Sequence, residues 1–299
     1  MELNRSLSRD GQDYPFSGAY DPKFEGVVEA FLENYRVEDE LGSAVAVTLD
    51  GKPVVDIWGG FANQARSHTW KRDTLVCMMS VAKGITAICF NMLLDRGLVE
   101  LDAPVARYWP EFAKNGKDKI LVRHILDHTA AIPVLTNNKL WPGAMFDREA
   151  YVKALEDQEP LWEPGTKAAY HVHNQGYLLG EIMRRVTGKT VGPFLRSEVT
   201  IPLHADYYIG EMRGDEQARV AEVVPNMGAR LFAAKDAEAP ETLRNLAFRQ
   251  NPDEPWIDTL NSSIWRIAEI ASGNGYSFSV TSVITPKVPS LPTISRVRS

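Results

Sequence analysis

Residues 75–87 read Leu75-Val76-Cys77-Met78-Met79-Ser80-Val81-Ala82-Lys83-Gly84-Ile85-Thr86-Ala87, and the rest of the chain is organised around them. A serine stands at the start of an apolar segment, and a lysine follows it three residues later. Three residues are most of a helical turn, so we expect Ser80 Oγ and Lys83 Nζ on one face of a helix. That arrangement suits nucleophilic catalysis, because a neighbouring amine can take the proton of the hydroxyl.

The residues after Ser80 predict a helix that is apolar around most of its circumference and therefore buried. Burial lowers the pKa of a lysine because the ammonium loses its hydration. The free N–H groups at the start of such a helix, that of Ser80 included, can stabilise an oxyanion. S-x-x-K is nevertheless a short pattern that arises by chance. Taken alone, it is better interpreted as a capping serine beside a surface lysine.

Composition excludes several classes of protein. The 299 residues are 44% hydrophobic and 24% charged, which is typical of a globular chain with one large domain or two joined ones. The net charge of −6 argues against a nucleic-acid partner. The start of the chain lacks the apolar core of a signal peptide, and no apolar stretch is long enough to span a bilayer. We therefore expect a cytoplasmic protein with no membrane partner, whose Cys77 and Cys89 are buried thiols.

The N-terminal quarter predicts an arm, a helix and a hairpin. Residues 1–23 are polar, with Gly, Pro and Asp, and read as an arm over the surface. A helix is expected from Phe24 because apolar residues then recur at helical spacing. Two β-rich runs, 43–49 and 52–58, are separated by Asp50-Gly51, which favours a two-residue hairpin turn.

The middle of the chain is predicted to be mostly helical. A short helix is expected over 122–128, a second begins after a capping Asp147, and a third covers 177–186 and ends at Gly188. The histidines at 124, 128, 171 and 173 do not complete a metal-binding motif. We interpret them as ordinary polar histidines, with His171 and His173 on one face of a strand.

Several motifs in sequence order resemble those of the β-lactamase-related serine hydrolases, which include penicillin-binding proteins, class C β-lactamases and related esterases. The resemblance covers roughly residues 24–275. It rests on Ser80-Val81-Ala82-Lys83, Leu126-Asp127-His128-Thr129, Trp162-Glu163-Pro164-Gly165-Thr166-Lys167-Ala168-Ala169-Tyr170-His171, Tyr177-Leu178-Leu179-Gly180-Glu181 and Arg185-Val186-Thr187-Gly188.

This resemblance implies an α/β (α+β) fold, an antiparallel sheet flanked by helices with a helical subdomain. It implies that Ser80 is the acyl-accepting nucleophile, with its backbone N–H in the oxyanion hole, and that Lys83 helps to deprotonate it. Tyr170 would shuttle the proton between serine, leaving group and water. The resemblance implies neither a metal nor an organic cofactor.

The chain also departs from the family pattern. Tyr170-His171-Val172 replaces Tyr-x-Asn, which favours the esterase branch. The third motif, normally on a C-terminal strand, has no counterpart, so the C-terminal strands and the second oxyanion N–H are predicted to be missing. We therefore expect a shortened or frame-altered member, with a domain over 24–275, a divergent tail over 276–299, and a sheet built from the 43–58 hairpin and a possible strand at 276–284.

The sequence is compatible with three functions. The first is an ester hydrolase that takes small acyl esters through a Ser80 acyl-enzyme. The second is a β-lactamase or D-Ala-D-Ala peptidase-like hydrolase, disfavoured because a cytoplasmic chain would not meet peptidoglycan. The third is a non-catalytic remnant of the family.

Overall fold

The main sheet contains four antiparallel strands in the order β1-β2-β4-β3. A computed structural model describes residues 1–37, 40–136, 143–224, 242–248 and 256–278. The strands are β1 (Glu2–Arg9), β2 (Gln12–Tyr20), β3 (Gly42–Leu49) and β4 (Lys52–Gly60). The predicted hairpin is confirmed as β3 and β4. Asp50 and Gly51 take φ of 50° and 73°, the conformation that such a turn requires.

Residues 1–23 do not form the predicted surface arm; residues 2–20 supply half of this sheet. A second Asp-Gly turn, at Asp10 and Gly11, joins β1 to β2 with φ of 53° and 74°. The prediction was wrong because these strands have one polar face, so their average composition resembles that of a loop. Their inward face is apolar and buried, with Leu3, Tyr14, Phe16 and Tyr20.

The predicted N-terminal helix is confirmed as α1 (Glu25–Val37), which follows a 3-10 turn over Pro22–Phe24. It buries Val28, Phe31, Leu32 and Tyr35. The Tyr35 ring meets the Phe16 ring edge to face, with centroids 4.7 Å apart. We call the apolar cluster between α1 and the sheet the sheet core; its buried members are Leu3, Tyr14, Phe16, Tyr20, Val28, Phe31, Leu32, Tyr35, Val55, Ile57 and Phe61.

A second and larger cluster, the helical core, is built around α2 (Val81–Asp95) and α5 (Asn174–Thr187). Gly188 ends α5 in the left-handed conformation with φ of 73°, as predicted. Asp147 caps α4 (Arg148–Asp157) by accepting the Ala150 N–H, also as predicted. The remaining helices are α3 (Val122–Leu126), α6 (Val191–Leu195), α7 (Ile201–Leu203), α8 (Gly214–Gln217), α9 (Leu243–Phe248), α10 (Trp256–Asn261) and α11 (Ser263–Ile267).

Helix α2 is less buried than the sequence predicted. Its inner face packs into the helical core through Ala82, Cys89, Phe90 and Leu93. Val81 and Ile88, however, are 51% and 54% exposed within the described structure. The hydrophobic pattern could not show which part of an apolar circumference finds a partner, because this depends on distant segments.

A small antiparallel sheet lies beside α2, in the order β5-β7-β6. Its strands are β5 (Val76–Cys77), β6 (Tyr207–Ile209) and β7 (Gly275–Ser277). The sequence predicted that the segment from 276 would join the hairpin in one sheet; its described part pairs with β5 and β6 instead. The rest of the predicted tail, residues 279–299, lies outside the described residues.

Cys77 and Cys89 are free thiols; Cys89 is buried, as predicted, whereas Cys77 is only partly buried. Among the helices that the structure describes, none combines the length and the apolar character needed to cross a lipid bilayer.

Candidate active site

Ser80 stands on a sharp turn between β5 and α2. Strand β5 is fixed by pairing with β7, and the Met78 N–H donates to Gly275 O at 2.7 Å. Met79 then takes φ of 46°, a left-handed conformation that is strained for a residue with a side chain. Ser80 follows as the N-cap residue of α2, and its side chain is exposed and makes no capping bond to the helix. The turn therefore leaves the hydroxyl free for other chemistry.

The Lys83 amine lies 3.3 Å from Ser80 Oγ and is almost fully buried, with the residue 9% exposed. It donates to two backbone carbonyls, Val172 O at 2.7 Å and Ser272 O at 2.8 Å. Burial lowers the pKa of Lys83 to about 7. A neutral amine has two N–H bonds and one lone pair. Because the two N–H bonds of the neutral amine donate to the two carbonyls, its lone pair can accept a hydrogen bond from the Ser80 hydroxyl.

Tyr170 is the third residue that the sequence singled out, and the structure brings its ring to Lys83. Lys83 Nζ lies 4.6 Å from the ring centroid, a cation–π distance. Tyr170 is 46% exposed, and its hydroxyl makes no hydrogen bond to another described residue. The ring of Tyr170 therefore lies beside the amine, in a residue that is partly exposed to solvent.

One of the two carbonyls that hold Lys83 belongs to Val172, in the segment of Tyr170, whereas the other belongs to Ser272, which the sequence did not connect with the site. Val172 lies two residues before the start of α5, and Ser272 lies in the loop before β7. These segments are tied together, since Ser272 Oγ donates to His173 O at 2.9 Å. Thr86 Oγ1, one turn along α2 from Lys83, donates to Ala271 O at 2.6 Å.

Asn274 closes the loop that carries the Ser272 carbonyl. Its side chain is completely buried, accepts the Ile270 N–H at 3.0 Å and donates to Trp265 O at 2.7 Å. The only sequence signal for this wall of the site is the run Ser272-Gly273-Asn274-Gly275, whose small and amide-bearing residues allow a tight turn.

The histidines are not the ordinary polar side chains that the sequence predicted. His171 is 0% and His173 8% exposed, and neither lies on a strand. The pKa of His171 falls to about 4, chiefly because burial penalises the charged ring. His128 packs against Tyr170 with ring centroids 4.9 Å apart. His124 is engaged locally, because its Nδ1 accepts the Leu121 N–H at 3.2 Å.

Comparisons with known proteins show the family to which the chain belongs. Residues 24–279 match the model of the family described as Beta-lactamase. The esterase/beta-lactamase LipL of Mycobacterium tuberculosis is 37% identical over 223 residues, which are 73% of this chain and 51% of LipL. The chain thus spans about half the length of that relative.

Two solved structures share the fold and are each about one third identical to this chain in sequence. A penicillin-binding protein homologue from Caulobacter crescentus superposes with a TM-score of 0.77 at 33% identity, over 88% of this chain and 68% of that one. A family VIII carboxylesterase gives a TM-score of 0.76 at 34% identity, with the same coverage of 88% and 68%. The family resemblance and the fold class inferred from the motifs are therefore confirmed: the chain belongs to the Beta-lactamase family.

Proposed function

We propose that the protein is a serine hydrolase that cleaves small acyl esters through an acyl-enzyme on Ser80. The environment of the Lys83 amine supports this proposal. The amine lies 3.3 Å from Ser80 Oγ, and its pKa is about 7 because it is buried. Two backbone carbonyls accept hydrogen bonds from it. Such an amine is a competent general base at neutral pH.

In the first half of the reaction, Lys83 takes the Ser80 proton while Oγ attacks the ester carbonyl carbon. The carbonyl oxygen becomes an oxyanion, for which the Ser80 backbone N–H at the start of α2 is the candidate donor. The C–O bond to the alcohol then breaks, and the alcohol leaves with a proton. We assign the delivery of this proton to Tyr170, whose ring lies against Lys83 and whose side chain is partly exposed.

In the second half, a water molecule attacks the acyl-enzyme carbonyl. The same groups work in reverse: a proton from water passes to the Tyr170–Lys83 pair, and Ser80 Oγ recovers its proton as the carboxylic acid leaves. Two similar proteins, an esterase/beta-lactamase and a family VIII carboxylesterase, support an ester as the substrate. The free thiols Cys77 and Cys89 support a reducing, cytoplasmic location.

The test is the intact mass of the protein after incubation with a fluorophosphonate. We expect one adduct per chain, lost in Ser80→Ala and kept in Ser67→Ala, a matched control on an exposed serine. Turnover of a short-chain p-nitrophenyl ester should exceed turnover of a chromogenic cephalosporin. Faster cephalosporin hydrolysis would favour a β-lactamase, and a folded protein that neither forms the adduct nor turns over either substrate would be a non-catalytic remnant.

A further inference from the structure

His128 contacts the chain on both sides of Tyr170. Its backbone carbonyl accepts the Ala169 N–H at 3.0 Å, and its ring Nδ1 accepts the His171 N–H at 3.2 Å. Its ring also packs on the Tyr170 ring between these two hydrogen bonds, at 4.9 Å between centroids. One residue therefore fixes the backbone before and after Tyr170 and supports its side chain.

The backbone of His128 is itself in an uncommon conformation, with φ of 65°. The left-handed region is unfavourable for most side chains, although His, Asn and Asp tolerate it better than others. Neighbouring hydrogen bonds maintain it: Asp127 Oδ1 accepts the Thr129 N–H at 3.0 Å, and Thr129 O accepts the Gly165 N–H at 2.9 Å. The loop after α3 is thus joined by hydrogen bonds to the segment that carries Tyr170.

The hydrogen bond to the His171 N–H requires a neutral His128 ring, because Nδ1 must offer a lone pair. The charged and titratable groups around His128 are Lys83 on α2, Asp127 on its own loop, and Tyr170 and His171 on the facing segment. Burial and the nearby Lys83 charge lower the pKa of His128, and Asp127 opposes them. His128 is therefore neutral over the pH range in which Lys83 can act as a base.

We propose that His128 is a positioning residue, which holds the Tyr170 ring against Lys83 by fixing the peptide groups on both sides of Tyr170. The inference rests on the proposed function, because it assigns His128 a task in that reaction. It also gives the site a sensitivity to acid, since a proton on Nδ1 removes the acceptor of the His171 N–H and adds a positive charge beside Lys83.

The test is a double-mutant cycle in kcat/KM for ester hydrolysis. His128→Ala should lower kcat/KM by about tenfold or more, because small displacements of a catalytic group are costly. In a Tyr170→Phe background the same change should cost less than about twofold, because the two residues act through one another. An equal loss in both backgrounds would overturn the proposal. His124→Ala, which removes the other histidine of this region, should leave kcat/KM within about twofold of the wild type.

His128→Asn separates positioning from simple support of the loop. Asn tolerates the left-handed backbone and can place an acceptor near the position of Nδ1, but it does not titrate. It should retain most activity at pH 8. In the wild type, log kcat/KM against pH should steepen from a slope of about one toward two at the acid end, whereas His128→Asn should keep a slope of about one. A second slope that persists in His128→Asn would contradict the proposal.

Hydrogen exchange at the His171 N–H gives a readout that needs no activity. This amide should exchange about tenfold faster or more in His128→Ala, and at an unchanged rate in His124→Ala. Unchanged exchange in a folded His128→Ala protein would overturn the contact on which the inference depends. If His128→Ala accelerates this exchange but the wild type neither labels with fluorophosphonate nor cleaves ester, the contact stands and the proposed function has failed.

Discussion

Lys83 is a buried cation without a carboxylate partner among the described residues. Its amine is held by the carbonyls of Val172 and Ser272, which are acceptors for both the ammonium and the neutral amine. A nearby carboxylate would stabilise the ammonium and raise the pKa of the amine, which would make the lysine a poor base at neutral pH. Burial therefore lowers the pKa of Lys83 to about 7, and no nearby carboxylate among the described residues offsets it.

The first prediction concerns the pH dependence of ester hydrolysis. The active form of Lys83 is the neutral amine, whose fraction rises with pH through about 7. We therefore expect kcat/KM to rise through that pH and to reach a plateau on the alkaline side, with a value at pH 6 about tenfold below the plateau. Initial rates with a p-nitrophenyl ester check this. A plateau that extends down to pH 5 would contradict the assignment of Lys83 as the base.

The second prediction concerns the effect of the buried Lys83 amine on the free energy of unfolding at different pH values. The unfolded lysine keeps its proton up to its ordinary pKa of 10.5, whereas the folded one releases it above about 7. The unfolded state therefore binds more protons in this window, and the free energy of unfolding of the wild type rises with pH. Relative to Lys83→Met, which has no such proton, the wild type should gain about 2 kcal/mol between pH 7.5 and pH 9.5.

Urea denaturation of both proteins at the two pH values measures this difference. Other titrating groups are shared by the two proteins and cancel. A difference in unfolding free energy that does not change with pH would mean that the pKa of Lys83 is not lowered in the folded protein.

At the scale of secondary-structure elements, the site depends on how closely α5 approaches the loop before β7. Gly176 on α5 lies against this loop, and a Cβ added there would come within 2.5 Å of Ser272 N. This is closer than real carbon–nitrogen contacts allow, and the obstructing atom belongs to the backbone. The glycine therefore permits the approach that places the Ser272 carbonyl at Lys83.

The third prediction follows from this close approach. Gly176→Ala should lower the free energy of unfolding by roughly 1–3 kcal/mol, because α5 or the loop must shift, and it should slow ester hydrolysis because Ser272 O moves away from Lys83. Gly26→Ala, on α1 with open space around the new methyl group, should instead stabilise by about 0.5–1 kcal/mol. Thermal unfolding and initial rates check both variants, and equal effects would exclude the packing explanation.

At the scale of the whole molecule, two apolar clusters lie on different parts of the chain. The sheet core is formed by the first four strands and α1, whereas Ser80, Lys83 and the segments around them belong to the helical core. In the sheet core, Phe16 packs over Gly59, where a Cβ would lie 2.1 Å from the ring. The two clusters share no buried residue, so we expect the N-terminal strands to contribute to stability more than to the chemistry of the site.

The fourth prediction tests this division of roles. Phe16→Ala should lower the free energy of unfolding by about 3–5 kcal/mol, because it empties a buried aromatic position. The rate of Ser80 labelling by fluorophosphonate should stay unchanged wherever the protein is folded. Leu49→Ala, an exposed apolar residue of the same sheet, should change the unfolding free energy by less than about 0.5 kcal/mol. A labelling rate that falls in Phe16→Ala under folding conditions would show that the two cores are coupled.

The sequence by itself determined the parts of the molecule that depend on contacts near in the chain. The placement of Ser80 and Lys83 on one helix, the Asp50-Gly51 hairpin, the Asp147 cap and the end of α5 at Gly188 follow from spacing, turn chemistry and caps. The motifs, which occur along the chain in the order typical of the family, also indicated the family. The same local reasoning misread residues 2–20, because a strand with one polar face shows its role only when its neighbours are known.

The tertiary structure decided what surrounds the proposed base. The carbonyls of Val172 and Ser272 lie 89 and 189 residues from Lys83 in the chain, and the contact between His128 and His171 spans 43 residues. Backbone carbonyls carry no sequence signature, since every residue has one. The burial that brings the pKa of Lys83 to about 7 likewise exists only once these segments meet, so the sequence could name the amine but not the environment that lowers its pKa.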